Sequence, residues 1–314
     1  MTKPILVAVD PFREDPDPLS LAALLGELTG RKLVAVGAYP QSVLPSRVDV
    51  PAYRRAARDL ALEGLEWASE RLPEGSETLA VASMSRPRAL LDTAEELDAA
   101  LLVIGSAHSG PFDRIVSSTV ADQLLHGASC PIAITPRGYE APADGLEHVG
   151  AAFVDTPEGR GALEGAIALA RKAGASLKAI TVIQPIGWGT MAVPMATAIA
   201  HEQQETRRAA EEVLDHALAG LEPALAAEPV IIENGPAGAL VTMSSQVDVL
   251  VCGSRGYGPV KTVLLGSVSQ ALSRHARCPL IVLPRGSERA LDELVGPQGR
   301  RPRQRSRRDR DSSS

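Results

Sequence analysis

An internal repeat constrains the fold of this chain more than any other feature. When the sequence is shifted by 148 residues, Leu101–Gly138 superposes on Val249–Gly286 without a gap, and 14 of these 38 positions are identical. Further upstream, Asp10 ends an apolar run and corresponds to Asp155 at an offset of 145 residues. A period of this length matches one whole domain and is too long for a solenoid of short repeats. The sequence therefore predicts a duplicated domain.

The repeat divides the 314 residues into four segments. Predicted domains cover residues 1–138 and 148–286, a linker rich in Ala, Pro, Asp and Gly joins them at 139–147, and an Arg-rich tail at 287–314 is predicted to be disordered. Residues 299–314 alone carry a net charge of +5, and the net charge of −6 for the whole chain leaves −11 for the rest. An acidic body repels nucleic acid, so the tail is the only candidate for contacting it.

Strand and helix patterns alternate within each repeat, which predicts βαβ units around a parallel sheet. In the second repeat, strands are predicted at 149–154, 177–183, 228–233, 248–252 and 279–283. In the first, they are predicted near 4–9, 32–37, 78–83, 100–104 and 131–135. A helix over 157–174 would begin with Asp155 or Thr156 as its N-cap and Pro157 in its first turn. The prediction is thus two α/β domains in tandem.

The cellular setting is predicted from what the sequence lacks. The three cysteines are too few and too widely spaced for a disulfide framework or a zinc site. No run approaches the ~20 apolar residues of a membrane span, and the amino terminus lacks a secretory pattern. Aromatic residues make up only 3% of the chain, so stacking platforms for single-stranded nucleic acid are not expected. These observations predict a cytoplasmic protein without a membrane partner.

A spaced glycine motif in the second repeat has the context that a phosphate site needs. Gly253-Ser254-Arg255-Gly256 follows a predicted strand, and after nine further residues Gly266-Ser267 precedes a predicted helix. Glycine lets the backbone approach an anion closely. The free N–H groups and positive dipole at the start of the helix then face the phosphate oxygens. In a doubly wound sheet this position lies beyond the carboxyl ends of the strands, where ligands bind.

With this motif, the chain resembles the universal stress protein family in its tandem form. The resemblance also rests on the Asp that ends the first strand and on the closing Cys-Pro-apolar strand. The resemblance covers residues 1–286. It implies two tandem doubly wound α/β domains, each a five-stranded parallel sheet in the order 3-2-1-4-5 flanked by helices. It also implies that strands 131–135 and 279–283 pair within the chain, which makes the molecule a pseudo-dimer. Further oligomerisation and a protein partner stay open.

The resemblance further implies binding of ATP, with or without Mg²⁺, because motif-bearing members of the family bind it. Carried over residue by residue, the implied site contains Asp155, Val182, Gly253, Arg255, Gly256, Gly266, Ser267 and Val268. Val182 would face the adenine, and Asp155 would accept hydrogen bonds from the base or the ribose. No residue is predicted as a metal ligand.

The first repeat departs from the motif at three positions. Ala107, His108 and Ser118 stand where the second repeat has Arg255, Gly256 and Gly266. An imidazole and an added Cβ would obstruct the phosphate site, so the first repeat is predicted not to bind ATP in the family mode. Whether it holds another anion stays open.

The predicted function is an ATP-binding stress-response or signalling module that holds nucleotide mainly in its second repeat and has no dedicated catalysis. No P-loop, Gly-x-Gly-x-x-Gly or Gly-x-Ser-x-Gly motif occurs in the chain, and no general base is evident beside the glycine loop. Two alternatives stay open: a slow ATPase or nucleotidyl-transferring enzyme, and a structural pseudo-dimer without ligand.

Overall fold

The computed structural model describes residues 3–41, 51–106, 120–185, 193–254, 267–284 and 294. The first repeat contains β1 (Ile5–Val9), α1 (Asp17–Thr29), β2 (Leu33–Pro40), α2 (Pro51–Ser69), β3 (Glu77–Ser83), α3 (Arg86–Glu96), β4 (Leu101–Gly105), α4 (Val120–Gly127) and β5 (Ile132–Thr135). The second contains β6 (His148–Ala152), α5 (Pro157–Ala173), β7 (Ser176–Ile183), α6 (Val193–Leu218), β8 (Ala227–Glu233), α7 (Pro236–Met243), β9 (Val249–Gly253), α8 (Ser267–His275) and β10 (Leu280–Leu283). The predicted alternation of strands and helices is confirmed.

The ten strands of the described residues form one sheet, in the order β3-β2-β1-β4-β5-β10-β9-β6-β7-β8. Each half therefore has the predicted order 3-2-1-4-5, and neighbours within each half are parallel. The predicted pairing of the last strands is also confirmed: β5 and β10 run antiparallel, with Ile132 opposite Val282 and Ile134 opposite Leu280. The chain is a pseudo-dimer whose halves share a continuous sheet.

The antiparallel β5–β10 pair also decides which ends of the two repeats lie together. Parallel strands of one repeat all point the same way, and the strands of the other repeat point the opposite way. Consequently, the carboxyl ends of the second repeat's strands lie at the same end of the sheet as the amino ends of the first repeat's strands.

A hydrophobic core covers each face of the sheet, and each core contains residues of both repeats. Successive strand residues alternate between the two cores, as Ile5 and Leu6 of β1 do. Every residue of β5 and β10 is buried. Because burial of each large apolar side chain stabilises a fold by about 1.5–3 kcal/mol, the junction between the repeats is a core region and not a loose domain contact.

Polar contacts also join the repeats. The guanidinium of Arg274, on α8, donates to the carboxylate of Asp122, on α4, over 3.4 Å, and Asp122 is buried. On the other face α1 packs against α5. Within the described residues, no helix is both long and apolar enough to span a bilayer.

Candidate functional site

A cavity of about 140 Å³ lies at the carboxyl ends of β6, β7 and β9 in the second repeat. Its walls come from these strands and from α5, α7 and α8. Strand β6 is the first strand of its repeat, and β7 and β9 lie on either side of it, so the cavity sits where successive connections leave the sheet in opposite directions. This is the position at which open α/β sheets bind their ligands.

Four of the predicted site residues line this cavity: Val182, Gly253, Ser267 and Val268. Asp155 is not part of the described lining. It lies in a neighbouring depression of about 420 Å³ between α5 and α6, and its Oδ1 accepts a hydrogen bond from Arg160 Nε over 2.6 Å. The remaining predicted residues, Arg255, Gly256 and Gly266, lie outside the described residues.

The starts of two helices border the cavity. Thr156 and Gly159 contribute from the start of α5, and Ser267 and Val268 contribute from the start of α8. The first N–H groups of a helix lack partners within the helix and carry a partial positive charge, which favours an anion. At α5 one of these groups is already engaged, because Gly159 N donates to Thr156 Oγ1 over 3.1 Å. The start of α8, which carries the predicted site residues Ser267 and Val268, is the candidate anion site that agrees with the sequence motif.

Ser254 adds a polar group that the sequence motif did not single out. It lines the cavity, its residue is 1% exposed, and its Oγ has no hydrogen-bond partner among the described residues. A buried hydroxyl without a partner costs about 1–3 kcal/mol, so such groups are rare unless a ligand or water satisfies them. The Ser254 hydroxyl is thus a candidate ligand contact.

Gly253 is required by local packing as well as by the motif. A Cβ at this position would lie 2.7 Å from the backbone oxygen of Glu158, at the start of α5. Gly159 is more crowded still, since a Cβ there would lie 2.0 Å from the backbone oxygen of Val154. Gly253 lets the end of β9 meet the first turn of α5, and Gly159 lets that turn lie against the backbone of Val154 at the cavity wall.

The floor of the cavity is apolar and uncharged. Ile180 and Val182 from β7, Leu240 from α7 and Cys252 from β9 form this part of the lining. Burial raises the pKa of the Cys252 thiol to about 12, and a hydrogen bond with the Ser269 side chain only partly offsets that increase. The thiol is therefore neutral at physiological pH, and this part of the lining carries no charge.

The corresponding position in the first repeat is built differently. Gly105 is the counterpart of Gly253, and a Cβ there would lie 2.7 Å from Asp15 Oδ2. A carboxylate thus lies beside the first repeat's glycine, where the second repeat has a backbone carbonyl. The predicted obstructions at Ala107, His108 and Ser118 lie outside the described residues.

Asp10, the counterpart of Asp155, is held by contacts within the first repeat. Its Oδ1 accepts hydrogen bonds from Phe12 N over 3.1 Å and from Arg86 Nη1 over 3.2 Å. The Arg86 guanidinium also lies 5.0 Å from the centre of the Phe12 ring. In both repeats, therefore, the Asp after the first strand is paired with an Arg of its own repeat.

Comparisons with known proteins agree with this architecture. A universal stress protein of Mycobacterium tuberculosis is 32% identical over 202 residues, which cover 62% of this chain and 68% of that protein. The solved universal stress protein from Archaeoglobus fulgidus has a TM-score of 0.61 at 19% identity, covers 90% of this chain and 97% of its own, and shows the same fold. Another from that organism, solved in complex with dAMP, is 27% identical and covers 42% of this chain and 96% of its own, with a TM-score of 0.32.

The family comparison covers nearly the whole folded part of the chain. The model of the universal stress protein family matches twice, at residues 1–136 and at residues 146–284. Both matches agree with the repeat found in the sequence and with the two halves of the sheet. This chain belongs to the universal stress protein family, in its tandem form.

Proposed function

We propose that this protein is an ATP-binding stress-response or signalling module that binds one adenine nucleotide per chain in its second repeat. The observation that carries the proposal is the convergence, in one cavity, of an apolar floor, a helix start and the buried Ser254 hydroxyl. The proposal assigns the site to the domain predicted at 148–286 and a degenerate counterpart to the domain predicted at 1–138.

The phosphates would bind at the start of α8. Ser267 is the first residue of this helix, and Gly253 ends the neighbouring strand β9. Backbone N–H groups there would donate to phosphate oxygens, and the Ser254 and Ser267 hydroxyls would add further donors. Arg255, Gly256 and Gly266 of the motif would complete the phosphate site. Mg²⁺ would bind only together with the phosphates.

The adenine would lie on the apolar floor beside Val182 and Val268. The cavity of about 140 Å³ is smaller than the ~300–1,000 Å³ of sites for drug-sized ligands, so the described residues would form only part of the site. Asp155 stays a predicted contact of the base or ribose. To make that contact, the Asp155 carboxylate would give up its hydrogen bond with Arg160 and accept one from the ligand.

The glycine that ends the fourth strand has a different neighbour in each repeat. In the first repeat the Asp15 carboxylate lies beside Gly105, so a phosphate at the equivalent place would meet a like charge directly. In the second repeat the atoms nearest Gly253 are the backbone carbonyl and the Cβ of Glu158, a residue that also lines the cavity. The direct contact with a carboxylate in the first repeat supports a single nucleotide site per chain.

The proposal is for binding and not for turnover, because phosphoryl transfer requires a positioned nucleophile in addition to charge stabilisation. Among the described lining residues, Glu158 is the only carboxylate, and it already has an interaction partner. A slow ATPase or nucleotidyl-transferring enzyme is the alternative. Turnover well above background that is abolished by Asp155→Ala would favour it.

Calorimetric titration of the full chain with ATP and AMP tests the proposal. We expect one site, and about tenfold weaker ATP binding for Ser254→Ala because a buried hydrogen-bond donor is lost. Ser273→Ala is the matched control: its hydroxyl is exposed on α8 and donates to Gln270 O, so ATP affinity should not change. No heat with either nucleotide would contradict the proposal and favour a structural pseudo-dimer, and two equal sites would contradict the asymmetry.

A further inference from the structure

Asp155 lies between the proposed nucleotide cavity and the depression that α5 and α6 enclose. Its neighbours in sequence, Val154 and Thr156, line the cavity, whereas Asp155 itself lines the depression. Phe153 lines both. The two spaces therefore adjoin at this point of the chain, and a change of rotamer at the Cα–Cβ bond of Asp155 re-aims its carboxylate from the depression towards the cavity.

Arg160 holds this carboxylate in the depression. Its Nε donates to Asp155 Oδ1 over 2.6 Å, and its Nη2 lies 2.6 Å from the same oxygen. Helix α5 begins at Pro157, between the two residues, so the pair is local to the first turn of this helix. Because the pair fixes the direction of the carboxylate, it competes with any ligand in the cavity that needs Asp155 as a hydrogen-bond acceptor.

The surroundings of the pair allow it to open at a small cost in free energy. The side chains of Asp155 and Arg160 are 45% and 64% exposed, and exposed ion pairs are weak. Glu164 and Glu212 line the same depression, so a carboxylate that stayed there without Arg160 would face like charges. Arg160 in turn keeps a possible partner when Asp155 leaves, because Glu164 follows it on α5 at the i+4 spacing that favours ion pairs.

The first repeat shows that the fold does not require an arginine at this place. Asp10 pairs there with Arg86, at the start of α3, whereas the equivalent helix of the second repeat, α7, starts with Pro236. Helix α1 forms with Pro16 as its N-cap residue and has no arginine in its first turn. The contact of Asp155 with the first turn of its own following helix is therefore a feature of the second repeat, the one to which we assign the nucleotide.

We propose that Arg160 controls the access of the nucleoside part of the ligand to Asp155, and thereby lowers the affinity of the second repeat for adenine nucleotides. The inference rests on the proposed function, in which Asp155 accepts a hydrogen bond from the base or the ribose. Without nucleotide, Arg160 holds the carboxylate in the depression. In the complex, the ligand replaces Arg160 as the donor to Asp155. Arg160 is thus a positioning residue that acts through Asp155 and needs no contact of its own with the ligand.

Calorimetric titration with adenosine isolates this effect, because adenosine has the base and the ribose without the charge of the phosphates. The full chain is compared with Arg160→Gln, with Asp155→Ala and with the double variant. We expect Arg160→Gln to bind adenosine about two- to fivefold more tightly than the parent, and the double variant to bind it as weakly as Asp155→Ala does. Lys172→Gln is the matched control: it removes an exposed positive charge from the last turn of the same helix, and should leave the affinity unchanged.

Salt and inorganic triphosphate provide two further measurements. Salt screens an exposed ion pair, so raising it should increase the adenosine affinity of the parent and leave that of Arg160→Gln unchanged. The response of the parent requires no substitution, and it tests the inference even where a variant is poorly folded. Inorganic triphosphate lacks a nucleoside, so Arg160→Gln should not bind it more tightly than the parent does.

Equal or weaker adenosine binding by Arg160→Gln would overturn the inference. An equal gain with and without the Asp155 carboxylate would also overturn it, because Arg160 would then act through the structure of α5 and not through Asp155. Failure of the proposed function looks different, since neither ATP nor adenosine would then bind to the full chain or to any variant. Thermal unfolding of each variant shows whether it is folded.

Discussion

At the scale of single residues, two glycines of the second repeat differ in the space around them. A Cβ at Gly253 would press on the backbone of Glu158, at 2.7 Å, whereas a Cβ at Gly238, in α7, would have no heavy atom within 4 Å. We predict that Gly253→Ala lowers the free energy of unfolding by about 1–3 kcal/mol through overpacking, and weakens ATP binding by displacing the start of α5.

Gly238→Ala is the control for that substitution. It should raise the free energy of unfolding by up to about 1 kcal/mol, because Ala favours a helix interior, and should leave ATP affinity unchanged. Urea denaturation and titration with ATP measure both effects. A Gly253→Ala protein as stable as the parent would contradict the close contact between β9 and α5.

The three buried thiols predict a loss of stability at alkaline pH. Burial raises the pKa of Cys130 to about 11, and those of Cys252 and Cys278 to about 12, from the ordinary value of 9.0. The unfolded chain therefore loses these protons first as the pH rises above 9. The stabilisation is complete below pH 9 and falls towards pH 11–12, by about 1.4 kcal/mol per pH unit for each thiol.

Urea unfolding at pH 8, 9 and 10 measures this decline. Replacing one thiol, as in Cys278→Ser, removes one titrating group, so stability should fall less steeply above pH 9. An unchanged slope would show that this thiol is not shielded from solvent in the folded state.

The sequence predicted which backbone positions border the cavity where those positions follow from an element boundary. Gly253 ends a strand and Ser267 begins a helix, and those places meet in any sheet of this order. Asp155 was also predicted from its position at the end of a strand, but its side chain accepts a hydrogen bond from Arg160 in the first turn of α5. Spacing fixes the location of a backbone position and not the direction of its side chain. Ser254 was missed because its burial without a partner depends on several elements at once.

At the scale of elements, the local patterns predicted the strands and helices to within a few residues. Apolar periodicity, Pro157 in a first turn and Gly174 at a helix end with φ of 69° all act within a few residues of sequence. The placement of Asp15 beside Gly105 could not be predicted, because it depends on how a loop that precedes α1 folds over a strand about 90 residues later.

The caps of α5 and α3 provide a matched pair of element-scale substitutions. Thr156 accepts a hydrogen bond from Gly159 N over 3.1 Å, and Ser85 accepts one from Arg88 N over 3.5 Å. We predict that Thr156→Ala and Ser85→Ala each cost about 1 kcal/mol of unfolding free energy. Only Thr156→Ala should also weaken ATP binding, because α5 starts at the cavity and α3 belongs to the other repeat.

Denaturation and titration of both variants check this prediction. If both variants lost ATP affinity equally, the loss would reflect general destabilisation of the chain. The start of α5 would then not be part of the nucleotide site.

At the scale of the whole molecule, the repeats do not behave as separate domains on a linker. The β5–β10 pair lies at the centre of the sheet, and both cores extend across it. Unfolding one repeat alone would expose the buried residues of β5 or β10 and the faces of α1 and α5 that pack together. Exposure of so much apolar surface opposes partial unfolding, so a ligand bound in one repeat should stabilise both.

The two tryptophans of the chain test this coupling. Trp188→Phe leaves Trp67, on α2 of the first repeat, as the fluorescence probe, and Trp67→Phe leaves Trp188 in the second. We predict the same urea midpoint for both probes, because the shared sheet and cores unfold together. ATP at about 100 times its dissociation constant should raise the unfolding free energy by about 2.7 kcal/mol at both probes. A shift confined to the Trp188 probe would mean that the first repeat unfolds independently, and that the junction at β5 and β10 transmits no stability between the two halves.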